Sequence, residues 1–523
     1  MSIPHYHAYD EFKNRLSKLN EIEQLGLDPY PAHFSPKNKA ADLDRDYQEA
    51  PVGHSEDGAL GKTPSVIVSG RIVLFRAMGK NAFAHLQDDS GRIQVMFNKD
   101  ITEVVGLTDT PELASMKFIE KKLDLGDIIG VEGHLFKTQK GELTVFAKRV
   151  TLLCKTLLPL PDKHSGLTDK ELRYRKRWLD LISSKEVYET FKTRSLIMKF
   201  IRQHLDELGF IEVETPVLQN IYGGAEARPF ITHLNALDQQ MYLRISLEIA
   251  LKKLIVGGFD KVFEIGKVFR NEGLDKTHNP EFTMIELYAS YYDYHSMMSL
   301  AENLFAFLAK KLFGTTKIGT RTDKSGQTHE IDLKTPWKRM TMKESIHHYG
   351  KVNVDGMSDE EIRVYLRQHT KADPEKVKKA PRGILIACLF EELVEKHLIQ
   401  PHHIIDHPIE TTPLCKLHRE VSSRKEKLVE RFETFILGFE FCNAYSELND
   451  PVLQRKLLED QACKREAGDE EAHPMDEEFI EAICQGMPPT GGLGIGIDRL
   501  MMLFTNQISI RDVLLFPIMR PEE

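Results

Sequence analysis

Gly491-Gly492-Leu493-Gly494-Ile495-Gly496-Ile497-Asp498-Arg499-Leu500 lies close to the C-terminus. Four glycines let a backbone come against a ligand without interference from Cβ atoms. An arginine follows at the start of an apolar, helix-like run, Leu500-Met501-Met502-Leu503-Phe504. Such a site suits a flat, anionic ligand. Two common nucleotide signatures are excluded: Ile497 stands where G-x-G-x-x-G needs its third glycine, and there is no lysine to complete a P-loop. A glycine-rich turn packing a helix on a strand accounts for the stretch equally well, so the segments before it decide.

Working outward, the periodicity predicts a helix over 186–208, with Phe191, Ile197, Phe200, Ile201, Leu205 and Leu208 on one face and Gly209 as its stop. A strand Phe210–Thr215 closed by Pro216 follows, then a loop Tyr222–Phe230 and a strand Tyr242–Glu248 ending in an acid. Val262–Arg270 and Phe282–Tyr288 read as two strands separated by a polar loop, and long loops on a rigid hairpin are natural ligand sites. Residues 426–448 read as two more strands around a turn at Leu437-Gly438. Between them, about 315–425 is expected to be a mainly helical insertion, with helices near 359–369 and 383–397, a loop at Asp323–Gln327 and no visible chemistry. Helix-strand-proline, the string Phe269-Arg270-Asn271-Glu272-Gly273 to His278-Asn279-Pro280-Glu281-Phe282, and the glycine-arginine stretch resemble motifs 1, 2 and 3 of the class II aminoacyl-tRNA synthetases. The resemblance implies an α+β fold with an antiparallel catalytic sheet flanked by helices, and a homodimer built through motif 1.

The N-terminal part has a different period. Apolar Phe12, Leu16, Leu19, Ile22 and Leu25 predict an amphipathic helix over 10–26, and 35–64 reads as an irregular connection. Gly61-Lys62-Thr63 within it lacks the first P-loop glycine and a leading strand, and is discarded. Five short β-rich runs between 65 and 153, with turns at Asp89-Ser90-Gly91 and Gln139-Lys140-Gly141 and a helix-like insert near 111–123, predict an OB-type barrel. Such barrels stack bases on aromatic side chains and track phosphate with cations, and Phe75, Phe83, His85, Arg71, Arg76 and Lys80 supply both types. Core packing is the competing role for each aromatic. The basic turn Arg173–Trp178 suits either an RNA backbone or a solvated helix start.

At 523 residues the chain has length for about three domains. Its apolar content of 41% and charged content of 28% are those of a globular protein. There is no apolar run long enough for a transmembrane helix and no signal peptide, so the expected location is cytoplasmic. Six cysteines far apart, with no C-x-x-C, read as reduced thiols. A net charge of −9 disfavours a general nucleic-acid binder but leaves room for a local RNA contact.

Within class II, the string around Leu160–Leu181 and Asn443-Ala444-Tyr445-Ser446-Glu447-Leu448-Asn449-Asp450 resemble the lysyl-tRNA synthetases, and this resemblance covers nearly the whole chain. It implies a division into a helix and connection over 1–64, an anticodon-binding OB domain over 65–153, a hinge over 154–181 and a catalytic domain over 182–523. It implies activation of L-lysine with ATP, release of pyrophosphate and transfer to tRNA(Lys). Arg270 and Arg499 match arginines expected on the α- and γ-phosphates. Glu272 and His278 match contacts to adenine and phosphate, and Phe282 matches the ring that stacks on adenine. Glu433 and Glu440 match the carboxylates that hold Mg2+, and hard oxygen ligands suit that ion. Glu248, Glu286 and Glu447, with Gly224, Tyr288, Asn443 and Tyr445, match the lysine pocket, where a buried ammonium needs carboxylate partners. On the barrel, Arg76, Phe83, Gln94 and Glu142 match readers of anticodon bases.

Leu247 and Tyr222 stand where lysyl enzymes usually have prolines. Strand parity puts Glu440 opposite Asn443, Tyr445 and Glu447, so a bulge near Cys442 or Asn443 is expected. A non-catalytic RNA binder on the same scaffold would have lost the phosphate and metal residues, and a lysine ligase acting on protein would lack the barrel. Both sets are present.

Overall fold

In a computed structural model that describes residues 4–50, 52–53, 65–108, 113–161 and 167–521, the chain forms two compact units, Met1–Gly166 and Leu167–Glu523. The Gly61-Lys62-Thr63 sequence lies outside the described residues.

The first unit is a closed barrel. Strands β1 (Ser65–Met78), β2 (Asn81–Gln87), β3 (Arg92–Asn98), β4 (Ile128–Lys137) and β5 (Leu143–Cys154) run in the order β3-β2-β1-β4-β5, and β3 pairs in parallel with β5 to close the cylinder. Closure removes the open edges that an exposed sheet would present. Alternation along β2 settles the facing of Phe83: Ala82, Ala84 and Leu86 are buried in the barrel core, while Phe83 and His85 lie on the other face. The insert helix spans Ser115–Lys122, and the N-terminal helix Asp10–Gln24 ends before Gly26, at φ +77°. Leu16 on that helix and Leu25 just past it are exposed, and Arg15 is buried instead, donating to Leu125 O and Thr156 Oγ1.

The second unit is built on an eight-stranded sheet. Its strands are β6 (Ile211–Glu212), β7 (Lys261–Phe269), β8 (Glu281–Ser290), β9 (Lys338–Thr341), β10 (His402–Pro408), β11 (Leu428–Ile436), β12 (Phe439–Ser446) and β13 (Thr490–Gly496), in the order β9-β10-β11-β12-β13-β8-β7-β6. The interior is antiparallel as expected, but both edge pairs, β9–β10 and β6–β7, are parallel, so the sheet is mixed. The helices Lys185–Glu207, Tyr294–Phe313 and Ile497–Thr505 bury Ile197, Ile201, Leu205, Leu304, Phe305, Leu500 and Met501 in one core with the sheet residues Ile285, Leu287, Leu493 and Ile495. Leu208, assigned above to the buried face of the first of these helices, is exposed past its end.

Several local expectations are corrected. The strand at Phe210–Thr215 shrinks to Ile211–Glu212, because the Thr215 N–H and hydroxyl donate to the Glu264 carboxylate (3.1 and 2.6 Å) and Pro216 has no N–H. Glu248 does not end a strand. That strand is Gln239–Leu243, and Glu248 begins the helix Glu248–Val256, whose Leu251 and Ile255 pack with Leu247 at helical spacing. The 315–425 insertion is not purely helical: it holds helices Asp359–His369 and Arg382–Leu393, but also the hairpin Lys317–Thr322/Thr328–Asp332 and strands β9 and β10 of the main sheet. The basic turn Arg173–Trp178 is not an open cationic strip. Arg177 is fully buried and binds Asp180 and the carbonyls of Arg511, Leu514 and Leu515, and Arg173 and Arg175 pair with Asp180 and Glu171.

Candidate active site

The register of the sheet assembles the site. One row across four strands reads Glu433, Asn443, Gly494, Glu286, and the next reads Arg431, Tyr445, Gly492, Tyr288. The glycines of β13 therefore lie at the centre of both rows, flanked by polar side chains. A Cβ on Gly492 would come within 2.0 Å of Glu447 Oε1 and 2.5 Å of Tyr288 Cε1, so only glycine fits. Above this floor is a cavity of about 440 Å³ lined by residues from both rows and by Arg270, Glu272, His278, Phe282, Glu440 and Arg499. That volume suits a small-molecule site.

Glu440 and Asn443 reach the same cavity because β12 carries a bulge. Glu440 pairs with Phe435 and Cys442 with Thr434, leaving Phe441 as the extra residue. The bulge sits one or two residues earlier than parity suggested, because Phe441 is drawn into the core, edge-on to Phe305.

One end of the cavity is acidic. Glu286 accepts hydrogen bonds from Ser246 Oγ (2.9 Å), Leu247 N (3.0 Å) and Tyr288 OH (3.1 Å). A proline at 247 has no N–H to donate, so leucine adds a bond to this carboxylate. Burial, and then the charge of Glu248, push Glu286 up to about 7. Gly224, at φ +85°, allows its loop to lie against Ser246 and Glu248, where a Cβ would approach Ser246 Oγ to 2.5 Å. Tyr222 is a buried core residue whose ring meets Tyr242 and lies under the Arg465 guanidinium. Glu447 is placed differently from its expected partners. It stands behind the cavity wall, buried, with its carboxylate against Lys252, and burial pushes it up to about 8.

The other end is rich in cations. Arg499, in the first turn of the helix Ile497–Thr505, donates from Nη1 to Glu440 O (3.0 Å) and Oε2 (3.3 Å), with Nη2 at 3.3 Å from His278 Nε2. His278 is oriented by Asp275, whose Oδ2 lies 2.9 Å from His278 Nδ1. Arg270 lies over the Phe282 ring, 5.2 Å from its centroid, and no ion pair to it is found among the described residues. Burial pulls its guanidinium below the usual value, opposed by the charges of Glu272, Glu286 and Glu440. Glu433 is pushed up to about 7 by burial, partly offset by Arg431 and reinforced by the neighbouring Glu440 charge. Among the described residues no group of three or more His, Cys, Asp or Glu side chains is placed to hold a metal, so a cation here would complete its shell from other oxygens.

The lining residues not anticipated include Arg431, Thr411, Glu226 and His473. Arg431 donates to Asn443 Oδ1 (3.1 Å), Glu433 Oε1 (2.6 Å) and Thr411 O (2.9 Å), and so ties the two rows together. Thr411, Glu226 and His473 come from loops and insertions. Of these, only Arg431 carried a readable signal, since it alternates with Glu433 on a strand that had been recognised.

In the barrel unit, Arg76 pairs across strands with Phe83, and His85 Nε2 lies 2.7 Å from Glu142 Oε1 on the same outer face. Gln94 lies opposite His85 on that outer face; it is 7% exposed, and its amide donates to Thr144 Oγ1 at 2.9 Å.

Residues 169–520 match the family model of class II tRNA synthetases (D, K and N), and residues 66–153 match that of the OB-fold nucleic acid binding domain. A lysine–tRNA ligase of Chlamydia caviae is 58% identical over 521 residues, 99% of both chains. Those of Bacillus cytotoxicus and Carboxydothermus hydrogenoformans are 48% identical over 523 residues and 47% identical over 521 residues, covering 99% or more of each chain.

Proposed function

The chain belongs to the lysine–tRNA ligases of the class II tRNA synthetase family, and from that premise we propose how its cleft activates L-lysine with ATP and charges tRNA(Lys). The reading rests on one observation: a single cavity has buried glutamates at one end and two arginines at the other. The lysine ammonium groups go to Glu286 and Glu248, with Glu447 behind them and Tyr288, Tyr445, Asn443 and Gly224 shaping the walls. Its carboxylate is then directed toward Arg270.

In the first step a carboxylate oxygen of lysine attacks the α-phosphorus, forming the mixed anhydride, while the bond to the β-phosphate oxygen breaks and pyrophosphate leaves. Two anions must meet, so Arg270 on the α-phosphate and Arg499 on the γ-phosphate lower the barrier by charge and position. Phe282 takes the adenine ring, with Glu272 and His278 at its edge and at phosphate. In the second step the terminal tRNA hydroxyl attacks the acyl carbon and AMP leaves. Glu433 and Glu440 fit a Mg2+ ion, because two facing carboxylates hold mutually unfavourable charge in one wall of the cavity. Bound there, Mg2+ supplies charge neutralisation for phosphate oxygens. Exchange of pyrophosphate into ATP, run separately with all twenty amino acids, is expected to depend on lysine, and exchange driven by a different amino acid would overturn the assignment.

The barrel reads the anticodon through Phe83, Arg76 and Gln94, with Glu142 beside them. Phe83→Ala is expected to weaken tRNA in aminoacylation by about 1–3 kcal/mol of lost stacking, leaving tRNA-independent exchange and the melting temperature close to wild type. Joint loss of thermal stability and both activities would instead make Phe83 a core residue. A homodimer would cover apolar side chains left open at motif 1 and on the hairpin after it, with Ile211 51% exposed in the former and Ile231 63% and Leu237 68% in the latter. Among the described residues no helix is long and apolar enough to cross a membrane, in keeping with a cytoplasmic enzyme.

A further inference from the structure

Behind the acidic end of the cleft a second ammonium is already in place. Lys252, one helical turn after Glu248, is fully buried and absent from the cavity lining. Its Nζ is ion-paired with Glu248 and, at 2.5 Å, with Glu447 Oε2, and it lies 5.9 Å from the centroid of the Phe479 ring. One further charge faces this cluster, the Arg431 guanidinium, which lowers Glu248. It is already paired with Glu433 Oε1 at 2.6 Å and so leaves the count of the three glutamates unchanged. The remaining titratable groups are neutral. Burial pushes His473 down to about 4 and the Cys415 thiol well above its usual value. Burial likewise pushes the hydroxyls of Tyr288 and Tyr445, on the cavity side, well above theirs.

The charge count matters because these carboxylates are buried, where charge is weakly screened. Once all three are ionised, Glu248, Glu286 and Glu447 bring three negative charges, and Lys252 reduces them to two. Free lysine presents two ammonium groups to this end of the cleft once its carboxylate faces the arginines. Without Lys252, one glutamate would be left buried and unpaired with substrate bound, and such a group takes up a proton rather than stay charged.

We infer that Lys252 is a specificity-determining positioning residue, an internal counter-ion that holds Glu248 and Glu447 in place and matches the charge of the pocket to an amino acid with two ammonium groups. The inference rests on the reading of the cleft as a lysine site. It also accounts for a lysine side chain inside a lysine pocket, where it cannot compete with substrate because Glu447 and Glu248 hold it behind the wall.

The test uses the full chain with Lys252→Met, Lys252→Gln and Lys252→Arg, following lysine-dependent pyrophosphate exchange across roughly pH 6 to 9. In the wild type, kcat/KM for lysine is expected to rise through the region of about 7 to 8 in which Glu286 and Glu447 lose their protons. In Lys252→Met and Lys252→Gln that rise should move up by roughly one pH unit, with lysine KM at neutral pH raised about tenfold or more and ATP KM unchanged. Lys252→Arg should keep the rise in its wild-type position. A profile that stays in place while lysine and ATP are affected alike overturns the inference and makes Lys252 structural. If the neutral variants do not fold, calorimetry of lysine binding to the wild type at about pH 8.5, in buffers of different ionisation enthalpy, decides. Well under one proton released per lysine supports the charge match, and one or more overturns it. Wild-type exchange driven by another amino acid would sink the substrate assignment and this inference with it, whereas an unmoved profile in a lysine-specific enzyme sinks this inference alone.

Discussion

Arg499→Ala is expected to lower lysine-dependent pyrophosphate exchange by about 10²–10³-fold or more, as for removal of one preorganised charge donor from a water-poor site. The arginine holds Glu440 and faces His278 from the first turn of the helix Ile497–Thr505. It does not hold that helix in place. Asp498 does so, pairing with Arg194 Nη1 at 2.7 Å and accepting from Thr283 N at 2.8 Å, and Leu500, Met501 and Phe504 fill the core beneath. The variant should therefore keep its melting temperature while losing the clamp on the triphosphate. Exchange retained at wild-type rates in a folded Arg499→Ala enzyme would remove this residue from the phosphate site.

Glu286→Gln is expected to weaken lysine by about 2–5 kcal/mol, the range for truncating one member of a buried charge pair, with little change in ATP KM. Glutamine is nearly isosteric, and its carbonyl oxygen still accepts from Ser246 Oγ and Leu247 N, so the change isolates charge from shape. The sign of the pH dependence follows from the same group. Burial raises Glu286 to about 7, so below that pH it is protonated and neutral, and above it the carboxylate is available to an ammonium. Lysine kcat/KM should rise with pH through neutrality in the wild type, and the part of that rise due to Glu286 should vanish in the variant. Equal losses in lysine and ATP affinity would make the residue a structural one.

Much of the site could be read before any fold was known, because its elements are local. The turn at Leu437-Gly438 forms with φ of +57° and +74°, between strands of the expected extent. The helix Pro451–Glu466 went unread, although its start is written in Asp450, which accepts from Val452 N and Leu453 N, and in Pro451 at its first position. The helix beginning at Glu248 was hidden for a different reason: Tyr242 to Leu247 alternates like a strand, and the helical spacing shows only once Leu247, Leu251 and Ile255 are taken together.

By itself the sequence determined the barrel, the helix over 186–208 that flanks the catalytic sheet though not the flanking helix Tyr294–Phe313, the glycine strand leading into the Arg499 helix, and the presence of acids and arginines in an order that resembles one enzyme family. Those features depend on residues within a few turns or strand lengths of one another, where steric preference and apolar period act directly. Only the tertiary structure decided which side chains meet. The bulge at Phe441 turns Glu440 and Asn443 into one cavity, cross-strand register places Gly492 and Gly494 between the two polar rows, and Glu447 faces Lys252 rather than the opening. Gln94 was tied to Thr144 on the outer face of the barrel, and Arg177 was drawn into the catalytic unit by Asp180 and three carbonyls. Each of these outcomes is a choice among partners far apart in the chain, made by burial and by the need to pair every buried charge, and no local pattern records it.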